Sequence, residues 1–209
     1  MERDNHTIIV CAGDSVTYGE TLDDVDLFSY PAQLEMMLGN DYVVGNMGRT
    51  GATVMLRGAI PFISTPECAT AASWAPDILV VCLGTNDTVL PFDDEAREAF
   101  VRDYADLIRK LKEYSPSART YLCMIPPIPR YDSLSGNVRE VNALIGAVAR
   151  ECGASVIDLH TPFLGKEGLF TDGVHPNERG ARLIAGIVFE ALAENLPQDI
   201  RPGSGQEDE

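Results

Sequence analysis

Long apolar runs are missing from this sequence of 209 residues, which contains no stretch of eighteen consecutive apolar residues. A membrane-spanning helix needs about 20 such residues, so no span is predicted. The chain begins with the polar residues 1–6 and continues directly into a strand-like run, unlike a secretory signal peptide. The sequence therefore predicts a cytoplasmic protein without membrane contact, although a leader removed beforehand would leave the same pattern.

Basic residues are scarce. Lys and Arg together number 16 against 32 Asp and Glu, which gives a formal net charge of -16. Nucleic acids and anionic membranes attract proteins through Lys and Arg, so the excess of acidic residues argues against both as partners. The sequence gives no indication of an oligomeric state.

Cysteine patterns typical of metal sites are also absent. The five cysteines, an odd number, are Cys11, Cys68, Cys82, Cys123 and Cys152, and no two of them have the spacing of zinc ligands. Three lie in apolar, strand-like runs, which is typical of buried reduced thiols and unlike the electropositive surroundings of a catalytic cysteine. The sequence thus predicts no metal site.

What the sequence does contain is a regular alternation of strands and helices. Five short apolar runs predict strands at 7–12, 42–47, 77–83, 119–125 and 155–159. Amphipathic segments predict helices at 29–38, 65–74, 93–114, 137–152 and 177–196, and Asn137 with Glu140 resembles a capping box. This alternation is typical of an α/β protein with a five-stranded parallel sheet that helices cover on both faces.

The length and composition favour one domain. With 45% hydrophobic residues the chain can bury one sizeable core, which we assign to residues 1–196. Residues 197–209 contain proline, glycine and acidic residues without an apolar pattern, so a disordered tail is predicted. Residues 52–64 show neither a helical nor a strand period, so the sequence assigns them no element, and whether the loop 52–75 closes over the site as a lid stays open.

Polar residues follow the predicted strands at several points. Gly13-Asp14-Ser15, Asn46-Met47-Gly48 and Gly84-Thr85-Asn86-Asp87 each come after a strand, and Asp172-Gly173-Val174-His175 precedes the last helix. In open parallel sheets, ligands bind at the carboxyl ends of the strands near a topological switch point. The four segments are therefore predicted to meet in one cleft.

These segments contain the groups that a serine nucleophile needs. A serine hydroxyl requires a base within hydrogen-bond reach and a third group that orients the base. His175 is the candidate base, and Asp172, three residues earlier, can accept the proton of one ring nitrogen. The candidate donors to a developing oxyanion are the N–H groups of Ser15 and Gly48 and the side-chain amide of Asn86.

The four segments, in this order, resemble the sequence blocks of the GDSL-type SGNH hydrolases, over residues 8 to about 185. The resemblance implies a flavodoxin-like three-layer α/β/α sandwich that hydrolyses esters without a metal or organic cofactor. It implies the same roles for Ser15, His175, Asp172, Gly48 and Asn86. The runs 8–19 and 46–53 are most similar to the members that act on carbohydrate O-acetyl groups, so the predicted partner is a small ester, such as an acetylated sugar.

Several alternatives stay open at this point. A lysophospholipase or acyl-thioesterase of the same family would take longer acyl chains, and a flavodoxin-like module that has lost catalysis would only bind its ligand. Arg49, Arg130 and Tyr131 are candidate substrate-binding residues, with solvent-exposed loop side chains as the competing interpretation. Asp14 and Asp87 are interpreted as braces that hydrogen-bond loop backbone rather than as acid-base groups.

Overall fold

A computed structural model of the protein describes residues 6–194. Its centre is a sheet of five strands, all parallel, in the order β2-β1-β3-β4-β5. The strands are β1 (Thr7–Gly13), β2 (Tyr42–Gly48), β3 (Ile78–Cys82), β4 (Arg119–Met124) and β5 (Ser155–Asp158). The predicted tail from residue 197 lies outside the described residues.

Within residues 6–194, seven α-helices connect the strands or flank them. They are α1 (Ser15–Tyr18), α2 (Val25–Phe28), α3 (Tyr30–Leu38), α4 (Pro66–Ser73), α5 (Asp94–Leu111), α6 (Ser135–Cys152) and α7 (Glu178–Ala193). Short 3-10 helices occur at Phe62–Ser64, Asn86–Val89, Pro129–Leu134, Thr161–Phe163 and Glu167–Leu169. Among residues 6–194, none of the helices combines the length and the apolarity needed to cross a bilayer.

The sheet separates two hydrophobic clusters, because alternate residues of a strand face opposite sides. In β3, Leu79 and Val81 join the side chains of α4, α5 and α6, whereas Ile78 and Val80 join those of α3 and α7. All five residues of β3 are buried, as expected for a central strand covered on both faces. The predicted three-layer α/β/α sandwich with a five-stranded parallel sheet is therefore confirmed.

Side-chain caps define where most of the long helices begin. Ser29, Thr65, Asp93 and Asn177 accept a hydrogen bond from a backbone N–H in the first turn of α3, α4, α5 and α7 respectively. These caps satisfy N–H groups that have no partner within the helix, and they explain why the predicted starts agree with the structure.

The predicted capping box at the start of α6 is wrong. The helix begins two residues before Asn137, and its cap residue Leu134 makes no side-chain cap bond. The side chain of Asn137 instead donates a hydrogen bond to the carbonyl oxygen of Thr88, 2.6 Å away. Glu140 pairs with Arg97 of α5. Both side chains are used for contacts between elements, which local spacing does not reveal.

The strand order places a topological switch point between β1 and β3. The chain moves from β1 outward to β2, and then returns to the other side of β1 to form β3. Gly13, the last residue of β1, pairs with Gly48 of β2 on one side and with Cys82 of β3 on the other. The segments that follow these three strands are thus brought together at the carboxyl edge of the sheet, where open α/β sheets bind ligands.

Candidate active site

Ser15 lies directly beyond the end of β1, as the first residue of α1. Gly13 is required before it, because a Cβ atom at this position would stand 2.5 Å from the carbonyl oxygen of Cys82. Asp14 caps the short helix through its Oδ1, which accepts a hydrogen bond of 2.9 Å from the N–H of Val16. The Ser15 residue is 4% exposed, and its N–H has no acceptor among residues 6–194.

His175 connects Ser15 to a carboxylate. Its Nδ1 is 2.9 Å from Oδ2 of Asp172, and its Nε2 is 3.1 Å from Oγ of Ser15. An ionised carboxylate can only accept hydrogen bonds, so Nδ1 carries the proton and Nε2 is left to accept the Ser15 hydroxyl hydrogen. The three side chains therefore form one continuous chain of hydrogen bonds in the direction that activates a serine.

Asp172 is held in its charged form. Its Oδ1 accepts hydrogen bonds from the N–H groups of Val174 and His175, at 3.0 and 2.9 Å. Partial burial acts to raise its pKa, but these bonds and the bond and charge of the His175 ring together outweigh burial and lower the pKa to about 2. The carboxylate is thus ionised throughout the neutral range.

The loop that bears Asp172 and His175 is tied at both ends. The N–H of Thr171 donates to the carbonyl oxygen of His175, and the N–H of Arg130 donates to that of Gly173, each at 2.9 Å. Gly173 has a φ of +79°, and a Cβ atom there would stand 2.9 Å from the backbone nitrogen of Arg130. Glycine is therefore needed both for the backbone angle and for the close contact.

Asn86 is the first residue of the 3-10 helix that follows β3. One N–H of its side-chain amide donates to the carbonyl oxygen of Ala52, 2.8 Å away, which fixes the orientation of the amide. Its other amide N–H has no acceptor among residues 6–194.

Gly48 does not have the free N–H that its predicted role requires. The Gly48 N–H donates to Oδ1 of Asn46, 3.0 Å away, at the end of β2. Three residues later, Gly51 has a φ of +77°, and its N–H has no acceptor in the part of the chain that the structure describes. The hydrogen bond from Ala52 N–H to Arg49 O closes a turn around Gly51, and Asn86 binds the carbonyl oxygen of the next residue.

Two further carboxylates, Asp14 and Asp87, are fully buried, and Asp14 directly precedes Ser15. Burial raises the pKa of each to about 6, and hydrogen bonds from backbone N–H groups oppose this shift. Asp87 binds the N–H groups of Val54 and Met55, as Asp14 binds that of Val16. Their predicted role as braces of loop backbone is confirmed.

The sequence profile of the GDSL-like lipase/acylhydrolase family matches residues 11–183. The chain belongs to this family. The predicted resemblance is therefore confirmed, and as a member of a lipase/acylhydrolase family the protein is classed among the carboxylic ester hydrolases.

Two kinds of comparison refine the relationships of this GDSL-family protein. It is 30% identical over 206 residues to an acetylxylan esterase of Xylanibacter ruminicola; the match covers 88% of the chain but only 42% of that relative. A lipolytic G-D-S-L protein of Veillonella parvula has 25% identity and a TM-score of 0.67, over 88% of this chain and 97% of that one. A family two carbohydrate esterase of Clostridium thermocellum, solved with cellohexaose, shares the fold: its TM-score is 0.73 at 17% identity, over 92% of this chain and 65% of that one.

The candidate substrate-binding residues of the GDSL-family protein have different surroundings. Arg49, half exposed, directs its guanidinium towards Glu67 of α4, at 3.5 Å. Arg130 and Tyr131 are exposed, and the Arg130 guanidinium lies 5.4 Å from the centre of the Tyr131 ring. The backbone contact of Arg130 with Gly173, which is two residues before His175, places this pair beside the loop that bears Asp172 and His175.

The five cysteine thiols take no part in the hydrogen-bonded chain of Ser15, His175 and Asp172. All five cysteines are free thiols, and four of them are buried. The described residues also contain no group of three or more His, Cys, Asp or Glu side chains with the geometry of a metal site.

Proposed function

We propose that this protein is a serine esterase that hydrolyses small acyl esters through an acyl-enzyme intermediate. One observation carries the proposal: an unbroken chain of hydrogen bonds runs from Ser15 Oγ through the His175 ring to Asp172, with distances of 3.1 and 2.9 Å. A buried serine that is paired with a histidine, whose other nitrogen is bound to a carboxylate, is the arrangement that serine acyl transfer requires.

In the first half of the reaction, Ser15 Oγ attacks the ester carbonyl carbon while its proton passes to Nε2 of His175. Asp172 stabilises the resulting imidazolium, because its carboxylate is ionised and bound to Nδ1. The same proton is then delivered to the oxygen of the leaving alcohol as the carbon–oxygen bond breaks. Ser15 is left as an acyl ester.

The negative charge on the carbonyl oxygen needs donors that are in place beforehand. We assign this role to the N–H of Ser15, the free amide N–H of Asn86 and the N–H of Gly51 rather than that of Gly48. The assignment is supported by the acceptors: the Gly48 N–H is bound to Asn46, whereas the other three have no partner among residues 6–194. One such donor typically contributes about 2.7 to 4 kcal/mol to transition-state stabilisation.

In the second half, water takes the place of the alcohol. Nε2 of His175 accepts a proton from the water as it attacks the acyl carbon, and then returns the proton to Ser15 Oγ. The protein thereby supplies one base for both steps.

The acyl group we propose is acetyl, carried on a carbohydrate. This proposal is supported by the relative from Xylanibacter ruminicola, which is an acetylxylan esterase, and by the fold shared with a carbohydrate esterase. The chain spans less than half the length of the acetylxylan esterase, so acetyl ester hydrolysis by this chain needs a direct test.

The test uses a fluorophosphonate probe and two p-nitrophenyl esters. The wild type is expected to label and to hydrolyse the acetyl ester, whereas Ser15→Ala does neither. Ser73→Ala is the matched control, because Ser73 is exposed and bonded only within α4, to Thr70. Labelling of Ser15→Ala would remove Ser15 from the mechanism, and faster hydrolysis of the octanoyl than of the acetyl ester would favour the long-chain alternative.

A further inference from the structure

Residues 52–55 are buried although they belong to neither a helix nor a strand. Ala52, Thr53, Val54 and Met55 are each at most 3% exposed. Backbone N–H groups buried in this way must find acceptors, because burial removes the hydrogen bonds that they would otherwise make to water. The N–H groups of Ala52 and Thr53 donate to backbone carbonyl oxygens nearby in sequence, whereas those of the next three residues donate to side chains more than thirty residues away.

Asp87 provides two of these acceptors. Its Oδ2 accepts a hydrogen bond from the Val54 N–H and its Oδ1 accepts one from the Met55 N–H, both at 2.9 Å. The next N–H, that of Leu56, donates to Oδ2 of Asp103, also at 2.9 Å. Asp103 is stabilised by a neighbouring cation, Arg102, whereas Asp87 forms no ion pair within the described part of the chain.

Asp87 is also adjacent to Asn86, and the two residues bind the same segment. Asn86 donates to the carbonyl oxygen of Ala52, and Asp87 accepts from the two N–H groups that begin two residues later. Gly51, whose N–H is free, directly precedes Ala52. The separation between the Gly51 N–H and the Asn86 amide is therefore set by how firmly this segment is held against residues 86 and 87.

Placing the ionised carboxylate of Asp87 in this buried position costs free energy. Burial raises the pKa of Asp87, and the nearby charge of Asp14 raises it further. A carboxylate nevertheless offers an acceptor oxygen to each of two parallel N–H groups, whereas a neutral amide offers one acceptor and one donor. Only the carboxylate satisfies both N–H groups in their observed positions.

We propose that Asp87 is a positioning residue: through Val54 and Met55 it holds Gly51 at the distance from Asn86 at which both can donate to one oxyanion. The inference rests on the proposed esterase function. Asp87 itself contacts neither the substrate nor the reacting atoms, so its removal affects the rate of acylation and leaves substrate binding largely intact.

The test is Asp87→Asn, with kinetics on p-nitrophenyl acetate and with active sites counted by the serine probe. We expect kcat per labelled site to fall by roughly 10- to 100-fold, a part of the ~10²- to 10³-fold that loss of a donor causes. KM should change less than about threefold, because binding is not disturbed. The double variant with Asn86→Ala should be only slightly slower than Asn86→Ala alone, since both changes act on the same oxyanion site.

Asp103→Asn is the matched control. It replaces the carboxylate that accepts from the next N–H of the same segment and removes the charge paired with Arg102, so it should lower the melting temperature while kcat stays within about threefold of the wild type. If Asp87→Asn does not fold, Asp87→Ser, which also removes the charge and one acceptor, replaces it with the same expectations.

Three results would overturn the inference: an unchanged kcat in the folded Asp87 variant, an equal loss of kcat in Asp103→Asn, or fully additive losses with Asn86→Ala. Failure of the proposed function is a separate outcome, because in that case the wild type and Asp103→Asn would also lack labelling and ester hydrolysis.

Discussion

Replacing Asp172 with asparagine isolates the contribution of the carboxylate to the proposed mechanism. The side-chain oxygen of asparagine can still accept from the N–H groups of Val174 and His175, so the loop keeps its shape. The amide nitrogen then occupies the place of Oδ2, 2.9 Å from Nδ1 of His175, and donates towards it. Nδ1 must accept this bond, which moves the ring proton to Nε2, where it faces Ser15.

In this tautomer His175 cannot accept the proton of Ser15. The same substitution in serine proteases lowers kcat by about 10⁴-fold, and the shared geometry predicts a loss of the same order here. A 10⁴-fold loss corresponds to roughly 5 kcal/mol of transition-state stabilisation. KM should change little, because the His175 ring stands between Asp172 and Ser15.

The assay is stopped-flow hydrolysis of p-nitrophenyl acetate, with the folded fraction checked by circular dichroism. Asp158→Asn is a suitable control: Asp158 also binds the N–H of a histidine two residues on, His160, which makes no contact with Ser15. It should keep wild-type kinetics. A loss below about tenfold in folded Asp172→Asn would refute the role assigned to Asp172, and an equal loss in Asp158→Asn would attribute the effect to loop stability.

The remaining predictions concern the oxyanion site, two glycines and one buried carboxylate. Asn86→Ala should lower kcat by ~10²- to 10³-fold with little change in KM, measured by steady-state hydrolysis. Gly48→Ala should lower stability by several kcal/mol in urea unfolding, because its Cβ would collide with the backbone of Tyr18. Gly51→Ala, with no collision but a φ of +77°, should cost only about 1 kcal/mol. The pKa of Asp14 is raised from 3.8 to about 6 by burial, so the folded state binds its proton more tightly than the unfolded state and stability increases as pH falls through 6. Asp14→Asn should remove roughly 1 to 2 kcal/mol of the difference in unfolding free energy between pH 7.5 and pH 5, and an unchanged difference would show that Asp14 does not titrate in this range.

The strands could be predicted from the sequence because their signal is local. A central parallel strand is apolar on both faces, so 77–83 predicted β3 and the structure begins and ends it one residue inside those limits. The helix caps at Ser29, Thr65 and Asn177 are equally local, since the cap and the N–H that it binds are three residues apart.

The partnership of Ser15, Asp172 and His175 could not be predicted from local patterns alone. It was predictable because residues that follow parallel strands, or precede the next helix, meet at one edge of the sheet. The structure brings the three side chains into hydrogen-bond contact across 160 residues of sequence.

The oxyanion donors show where prediction from sequence ends. Gly48 and Gly51 are both small residues in the same turn-rich run, and the difference between them is the direction of one N–H. That direction depends on the hydrogen bond from Gly48 to Asn46 and on the turn closed by Ala52 and Arg49. A signal was present in the pair Thr50-Gly51, because glycine favours the third position of a turn with positive φ.

The segment 52–57 is tied to the rest of the site by contacts that an opening lid would have to break. Opening it would break four hydrogen bonds to Asn86, Asp87 and Asp103, at about 1 kcal/mol each, and would expose the buried side chains of Val54 and Met55, at about 2 kcal/mol each. The sum, roughly 8 kcal/mol, is opposed by the conformational entropy that the released residues would regain, about 1 to 2 kcal/mol for each backbone unit. The hydrogen bonds to Asn86 and Asp87 therefore restrain the wall beside the proposed oxyanion donors, and the Asp87→Asn variant measures what their loss costs in kcat.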